Sequence, residues 1–158
     1  MEELLKLDRL LPVLILLYAS IDGVSNLSTI GKSKGRKTFK DWVTKWMLTE
    51  RPHLRCNAAD LYAARCGILH RQTAQFDQEG KEDAIEIYYN VGEATPGPIY
   101  QVAKERGQNI VVVNVEDLIS AFKMGMLACF EAIGKNENWK TEFDKKAMHF
   151  LAYIRYVE

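Results

Sequence analysis

The sequence predicts a mainly α-helical fold, a helical bundle that carries a small two-stranded β insertion at about residues 84–115. Two observations predict this class. Apolar residues recur at three- and four-residue intervals over most of the chain, and within the insertion they alternate as in a strand. The 158 residues contain no internal repeat and no low-complexity tract, and they suffice for one hydrophobic core. We therefore expect residues 1–158 to form a single domain.

The N-terminal half is predicted to contain three helices. Residues 3–22 are strongly apolar, which predicts a first helix that is buried on most sides, with Pro12 as a candidate kink. Residues 23–37 are rich in glycine, serine and lysine and predict a loop. Large apolar residues share one helical face over Thr38–Thr49, which predicts the second helix. The third helix is expected at about residues 57–75, with Asn57 as its N-cap and Asp60 in its first turn.

The C-terminal half begins with a change of period. Residues 84–91 alternate between apolar and polar, and residues 109–115 form a β-branched run, so each predicts a strand. A short helix is expected between the strands, after a Pro/Gly turn. A long helix then begins with Asn114 as its N-cap and ends at Gly134, and a last helix is expected at about residues 138–156.

Charge and cysteine content limit the classes of function. The chain has 21 basic and 21 acidic residues, which excludes a broadly basic protein that coats nucleic acid, so an anionic partner must bind to a local patch. Three scattered cysteines without a CxxC motif are typical of reduced thiols in the cytoplasm. The longest apolar run, Leu10–Ala19, is about half the length that spans a bilayer. We therefore expect a cytoplasmic protein that does not cross a membrane.

A cationic cluster follows the first helix. The tripeptide Gly31-Lys32-Ser33 is similar to the end of a phosphate-binding P-loop, but that motif needs a preceding strand and a glycine where Asn26 stands, so we exclude it. Two interpretations remain: local positive charge that contacts phosphate groups, or a solvated loop. The candidate substrate-binding residues are Lys32, Lys34, Arg36 and Lys37, with Lys40 beside them.

Cysteine and histidine side chains offer an alternative, structural zinc site. Cys66 and His70 are four residues apart on one helix and share a face, and His53 and Cys56 stand upstream. Neither pair has a familiar zinc spacing, and a buried cysteine is commonly inert packing. We therefore expect no metal ion and no other cofactor.

The third predicted helix carries Arg65 and His70 within an otherwise apolar segment. Five residues along a helix amount to a rise of about 7.5 Å and a rotation of about 140°, so the two side chains point in different directions. A twofold axis between two copies of the helix would bring arginine and histidine of both chains into each cleft. Histidine can exchange protons near neutral pH, and an arginine fork stabilises a phosphate in the transition state, which suits RNA cleavage without a metal. The alternative is structural, with Arg65 in an ion pair, Asp22 being its candidate partner, and His70 at the core or its rim.

The R-x4-H pattern of Arg65 and His70, late in a helix of an all-α bundle, resembles the HEPN (higher eukaryotes and prokaryotes nucleotide-binding) superfamily. Many HEPN members are dimeric, metal-independent endoribonucleases of toxin–antitoxin, abortive-infection and CRISPR-linked systems. The resemblance implies that Arg65 and His70 are the catalytic pair of a homodimer that acts on RNA, with an antitoxin or another protein as partner. This chain departs from the family pattern at Cys66, where a polar residue, commonly Asn, often follows the arginine. Some HEPN domains are non-catalytic and serve as RNA-binding or protein-interaction modules, and this is the alternative function.

Overall fold

The protein folds as a mainly helical bundle with a small two-stranded sheet, as predicted from the sequence, and the two strands are parallel. The computed structural model describes residues 1–49, 51–71, 84–93 and 95–150, with the side chains of Pro52, His70, Arg71 and Phe150 excepted. In chain order the elements are α1 (Glu2–Lys6), α2 (Leu10–Ser28), α3 (Arg36–Trp42), a π-helical turn (Val43–Met47), a 3₁₀ turn (Pro52–Leu54), α4 (Ala58–Arg71), β1 (Glu86–Asn90), α5 (Gly97–Glu105), β2 (Ile110–Asn114), α6 (Val115–Gly134) and α7 (Glu137–Phe150).

The apolar N-terminal segment forms two helices, so the prediction of one helix over residues 3–22 with a kink at Pro12 was wrong. The chain breaks between α1 and α2, where Asp8 has a positive φ of 54°. Pro12 is the third residue of α2, where a backbone N–H has no acceptor within the helix, so proline costs nothing there.

The helix α2 also extends to Ser28, into the segment that was predicted as a loop. The hydroxyl groups of Ser25 and Ser28 donate to the carbonyl oxygens of Asp22 and Val24, so these serines stay within the helix. By length and composition α2, with a mean hydropathy of 1.7, meets the requirements for crossing a membrane, as core helices of soluble proteins and signal sequences also do. In this fold α2 contributes several of the most deeply buried side chains of the core.

The second predicted helix, over Thr38–Thr49, forms as α3 followed by the π-helical turn. Gly125 of α6 lies against this turn, and a Cβ atom at Gly125 would stand 2.7 Å from the carbonyl oxygen of Trp46. The two backbones therefore approach each other more closely than any side chain at this position would allow.

Reciprocal hydrogen bonds fix the start of α4, which confirms Asn57 as its N-cap. The Asn57 side chain accepts hydrogen bonds from the N–H groups of Ala59 (2.7 Å) and Asp60 (3.1 Å), and the buried Asp60 carboxylate accepts from Asn57 N–H (2.8 Å). The second Asp60 oxygen accepts from Ile85 N–H at 2.7 Å. Asp60 therefore joins the start of α4 to the residue before β1. The predicted end of the helix, near residue 75, lies outside the described residues.

The two strands of the insertion pair in parallel, with Tyr88 opposite Val112, and α5 connects them. The predicted N-cap of the following helix is confirmed, because Asn114 Oδ1 accepts from the N–H of Asp117 at 3.0 Å. The predicted end of α6 at Gly134 is also confirmed. The last helix is described as far as Phe150, and the remainder of its predicted range, to residue 156, lies outside the description.

Candidate functional site

Three polar or aromatic side chains lie on one face of α4. Tyr62, Arg65 and Cys66 are three and four residues apart, a spacing that places them next to each other on a helix, and each is half-buried. The neighbouring Gly67 and Ile68 are buried and belong to the side of α4 that packs on the core. The amphipathic pattern of α4 therefore presents this group of residues at the rim of the bundle.

Arg65 forms an ion pair with Asp22 of α2, which is the structural alternative that the sequence had left open. The Nε and Nη2 atoms of Arg65 lie 2.7 and 2.6 Å from the same carboxylate oxygen, Asp22 Oδ2. Burial by itself lowers the pKa of Arg65, but the hydrogen bond and the charge of Asp22 raise it, and the net shift is upward. The guanidinium group is therefore charged at any physiological pH and held in place by a residue from another helix.

The ring of Tyr62 lies next to Arg65 and also next to Arg36, a member of the cationic cluster. The guanidinium carbon of Arg65 lies 5.8 Å from the centre of the Tyr62 ring, and that of Arg36, at the start of α3, lies 5.7 Å from it. The edge of this ring also packs against Phe39, with ring centres 5.5 Å apart. The predicted phosphate-contacting residue Arg36 and the predicted catalytic residue Arg65 therefore share one aromatic neighbour.

The thiol of Cys66 interacts with both residues that precede it on this face. Arg65 Nη1 donates to Cys66 Sγ at 3.9 Å, and the Tyr62 hydroxyl feels the charge of the same sulfur. Burial, followed by the interactions with Cys66, raises the pKa of Tyr62, so its phenol is neutral at physiological pH. Sulfur is a weak acceptor, so Cys66 offers only weak hydrogen bonds to its neighbours on this face.

The remaining cations of the cluster lie on or beside the loop before α3. Lys32 and Lys34 are exposed on the loop, whereas Lys37 forms an exposed ion pair with Asp41 at 2.5 Å. Lys146 of α7 donates to the carbonyl oxygens of Thr29 and Gly31, the latter at 2.8 Å, and so anchors the start of the loop. Of the four predicted substrate-binding residues, the structure therefore places Arg36 beside α4, while Lys37 has a carboxylate partner on its own helix.

His70 belongs to α4, one turn and a half beyond Arg65, but its side chain lies outside the described residues. The role of His70 and the focusing of both side chains on one phosphate therefore stay predictions. Among the described side chains, no group of three or more His, Cys, Asp and Glu residues is placed to hold a metal ion.

A buried pair of tyrosines positions the helix that carries Asp22, and the sequence analysis had not identified it. The hydroxyl oxygens of Tyr18 and Tyr89 lie 2.7 Å apart and join α2 to β1. Burial, reinforced by Tyr89, raises the pKa of Tyr18, and burial raises that of the nearby Cys56 to about 12. Tyr18 and Asp22 are four residues apart on α2, so the bond between the tyrosines also orients the face that holds Arg65.

In comparisons with known proteins, no family model, no curated sequence and no solved structure matches this chain.

Proposed function

We propose that the protein is a metal-independent endoribonuclease of the HEPN type that acts as a homodimer in the cytoplasm. Arg65 binds the scissile phosphate and His70 is the general acid or base. One observation supports this most strongly: a permanently charged arginine, with 20% of its side chain exposed, is held at the rim of the bundle, and it shares the ring of Tyr62 with a second arginine, Arg36. An arrangement of this kind suits a phosphodiester of RNA, because the phosphate needs positive charge and the adjoining base offers an aromatic face.

The proposed reaction transfers a phosphoryl group within the RNA. The 2′-oxygen forms a bond to phosphorus while the bond from phosphorus to the 5′-oxygen of the next nucleotide breaks. One histidine accepts the proton of the 2′-hydroxyl, and a protonated histidine gives a proton to the departing 5′-oxygen. Arg65 stabilises the additional negative charge that the phosphate carries in the transition state. The products are a 2′,3′-cyclic phosphate and a 5′-hydroxyl.

The geometry of α4 favours a homodimer. Arg65 and His70 are about 140° apart around the helix axis, so one helix does not direct both side chains to one phosphate. Two α4 helices related by a twofold axis form clefts in which Arg65 and His70 of both chains meet the substrate. As in the toxin–antitoxin members of the superfamily, an antitoxin or another protein partner would control access to such clefts.

The second candidate function is a non-catalytic RNA-binding or protein-interaction module. The ion pair between Arg65 and Asp22 favours it, because two donors of the guanidinium group already bind a carboxylate. In this alternative, Arg65 is structural, and exposed cations such as Arg36, Lys32 and Lys34 contact phosphate groups.

Cleavage assays with three variants distinguish the two functions. The nuclease cleaves a fluorescent single-stranded RNA in EDTA, and His70→Ala and Arg65→Ala each reduce the rate by at least about 100-fold. Arg106→Ala, which removes an exposed cation beyond the end of α5, is the control and leaves the rate unchanged. Salt-sensitive RNA binding without cleavage, or a rate that does not change in folded His70→Ala, would contradict the nuclease proposal.

A further inference from the structure

Tyr62 is the one aromatic side chain on the α4 face that carries Arg65 and Cys66, within the described part of the chain. The proposed reaction assigns it no role. Its ring is half-buried, so part of it remains open to solvent. Two planar guanidinium groups already lie over this ring, with Cζ atoms 5.7 and 5.8 Å from its centre. A base that stacks on this ring would therefore take the place of one of these flat groups.

Phe39 of α3 holds the ring of Tyr62 in its orientation. The two rings pack at a steep angle of 68°, with their centres 5.5 Å apart. A fixed ring binds a flat ligand with little loss of conformational freedom, because its own χ angles are already set. The ring therefore has a fixed orientation that suits the stacking of a base.

Arg36 provides the charge that a stacked nucleotide needs beside its base. It is the first residue of α3 and its side chain is exposed, so a phosphate in solution can reach its guanidinium group. Arg65 lies at a similar distance from the ring, three residues along the helix. A base on Tyr62 would therefore lie close to the positive charge of two arginines.

We propose that Tyr62, bordered by Arg36, is the stacking platform for one unpaired base next to the phosphate that Arg65 binds, and that it makes the site specific for single-stranded RNA. The inference rests on the proposed function in taking RNA as the ligand. Stacking on an aromatic side chain requires a base that has left the duplex, since the bases of an A-form helix are paired and covered on both faces. The phosphate groups of a duplex of the same sequence can contact the arginines, but its bases cannot stack on the ring of Tyr62.

The test is fluorescence anisotropy with probes that the protein cannot cleave. The probes are a 2′-O-methyl uridine octamer, a duplex of eight base pairs with the same modification, and an octamer of abasic sugar-phosphate units. We expect wild-type protein to bind the uridine octamer about 5- to 100-fold more tightly than the abasic octamer. Tyr62→Leu removes this preference, whereas Tyr62→Phe retains it within about twofold, because the ring and not the hydroxyl stacks.

Two controls keep the outcome unambiguous. Tyr88→Leu replaces another half-buried tyrosine, on β1, and leaves all three affinities unchanged. Arg36→Ala weakens binding of all three probes and lowers the slope of log affinity against log salt by about one, as loss of one phosphate contact requires. Equal affinity of the wild-type protein for the base-containing and abasic octamers would overturn the proposal, even if Tyr62→Leu failed to fold.

The experiment also separates this inference from the proposed nuclease. Binding that depends on Tyr62, together with unmodified RNA that stays intact in EDTA, supports the stacking site and contradicts the nuclease. Cleavage that depends on His70, with affinities that are the same for Tyr62→Leu and wild type, supports the nuclease and contradicts the stacking site.

Discussion

The ion pair between Asp22 and Arg65 should contribute measurably to stability. Asp22→Asn removes the negative charge with little change in shape, and Arg65→Met keeps an apolar stem while removing the positive charge. The donor–acceptor distances are 2.6 and 2.7 Å, and the side chains are 22% and 20% exposed. Exposed pairs contribute about 0–1 kcal/mol, whereas breaking a fully buried pair costs about 3–5 kcal/mol. For this partly exposed pair we expect a coupling free energy of about 1–2 kcal/mol.

A double-mutant cycle measures this coupling. The free energy of unfolding of wild type, both single variants and the double variant is determined by urea denaturation. The control cycle uses Lys37 and Asp41, whose side chains are 67% and 64% exposed at a distance of 2.5 Å, and should give less than about 0.5 kcal/mol. A coupling at the Asp22–Arg65 pair no larger than that of the control would refute the view that α2 holds Arg65 in place.

Three further predictions concern the contribution of residues outside the candidate site to the stability of the fold. Gly125→Ala should destabilise the protein by about 1–3 kcal/mol in urea, because its Cβ would meet the carbonyl oxygen of Trp46, whereas Gly134→Ala, with open space around it, should be neutral or slightly stabilising; equal effects would contradict the close approach. Asp60→Ala should cost about 2–4 kcal/mol in the same assay, since it leaves two backbone N–H groups without acceptors. Burial raises the pKa of Cys56 from about 9 to about 12, so its contribution to stability is complete below pH 9 and is lost as the pH rises towards 12. The melting temperature of Cys56→Ala should therefore fall less steeply than that of wild type between pH 9 and 11, and parallel curves would count against this.

Features governed by neighbouring residues could be predicted from the sequence. Asn57 and Asn114 were identified as N-caps because each is followed at the third position by an aspartate whose N–H the cap can bind. The two strands were predicted because β-branched and alternating runs differ clearly from helical spacing. Asp22 was a candidate partner of Arg65 because it closes a very apolar helix, with a helix-end charge as the alternative.

Features that depend on distant parts of the chain could not be predicted in this way. The break at Asp8 and the extension of α2 to Ser28 reflect packing that overrides local preference, since serine and glycine normally indicate a loop. The contact between Arg36 and Tyr62 joins residues from different helices, and no spacing rule relates them. The fold class could therefore be predicted from the sequence. Only the structure shows that the cationic cluster, through Arg36, lies next to the α4 face that carries Arg65.

The chemistry of the products of RNA cleavage tests the central claim most directly. Wild-type protein is incubated with single-stranded RNA in EDTA, and the ends of the fragments are analysed by mass spectrometry beside those from folded His70→Ala. The account predicts fragments that end in a 2′,3′-cyclic phosphate and begin with a 5′-hydroxyl, produced by wild type and not by His70→Ala. Intact RNA with wild type, or the same fragments from both proteins, would contradict it.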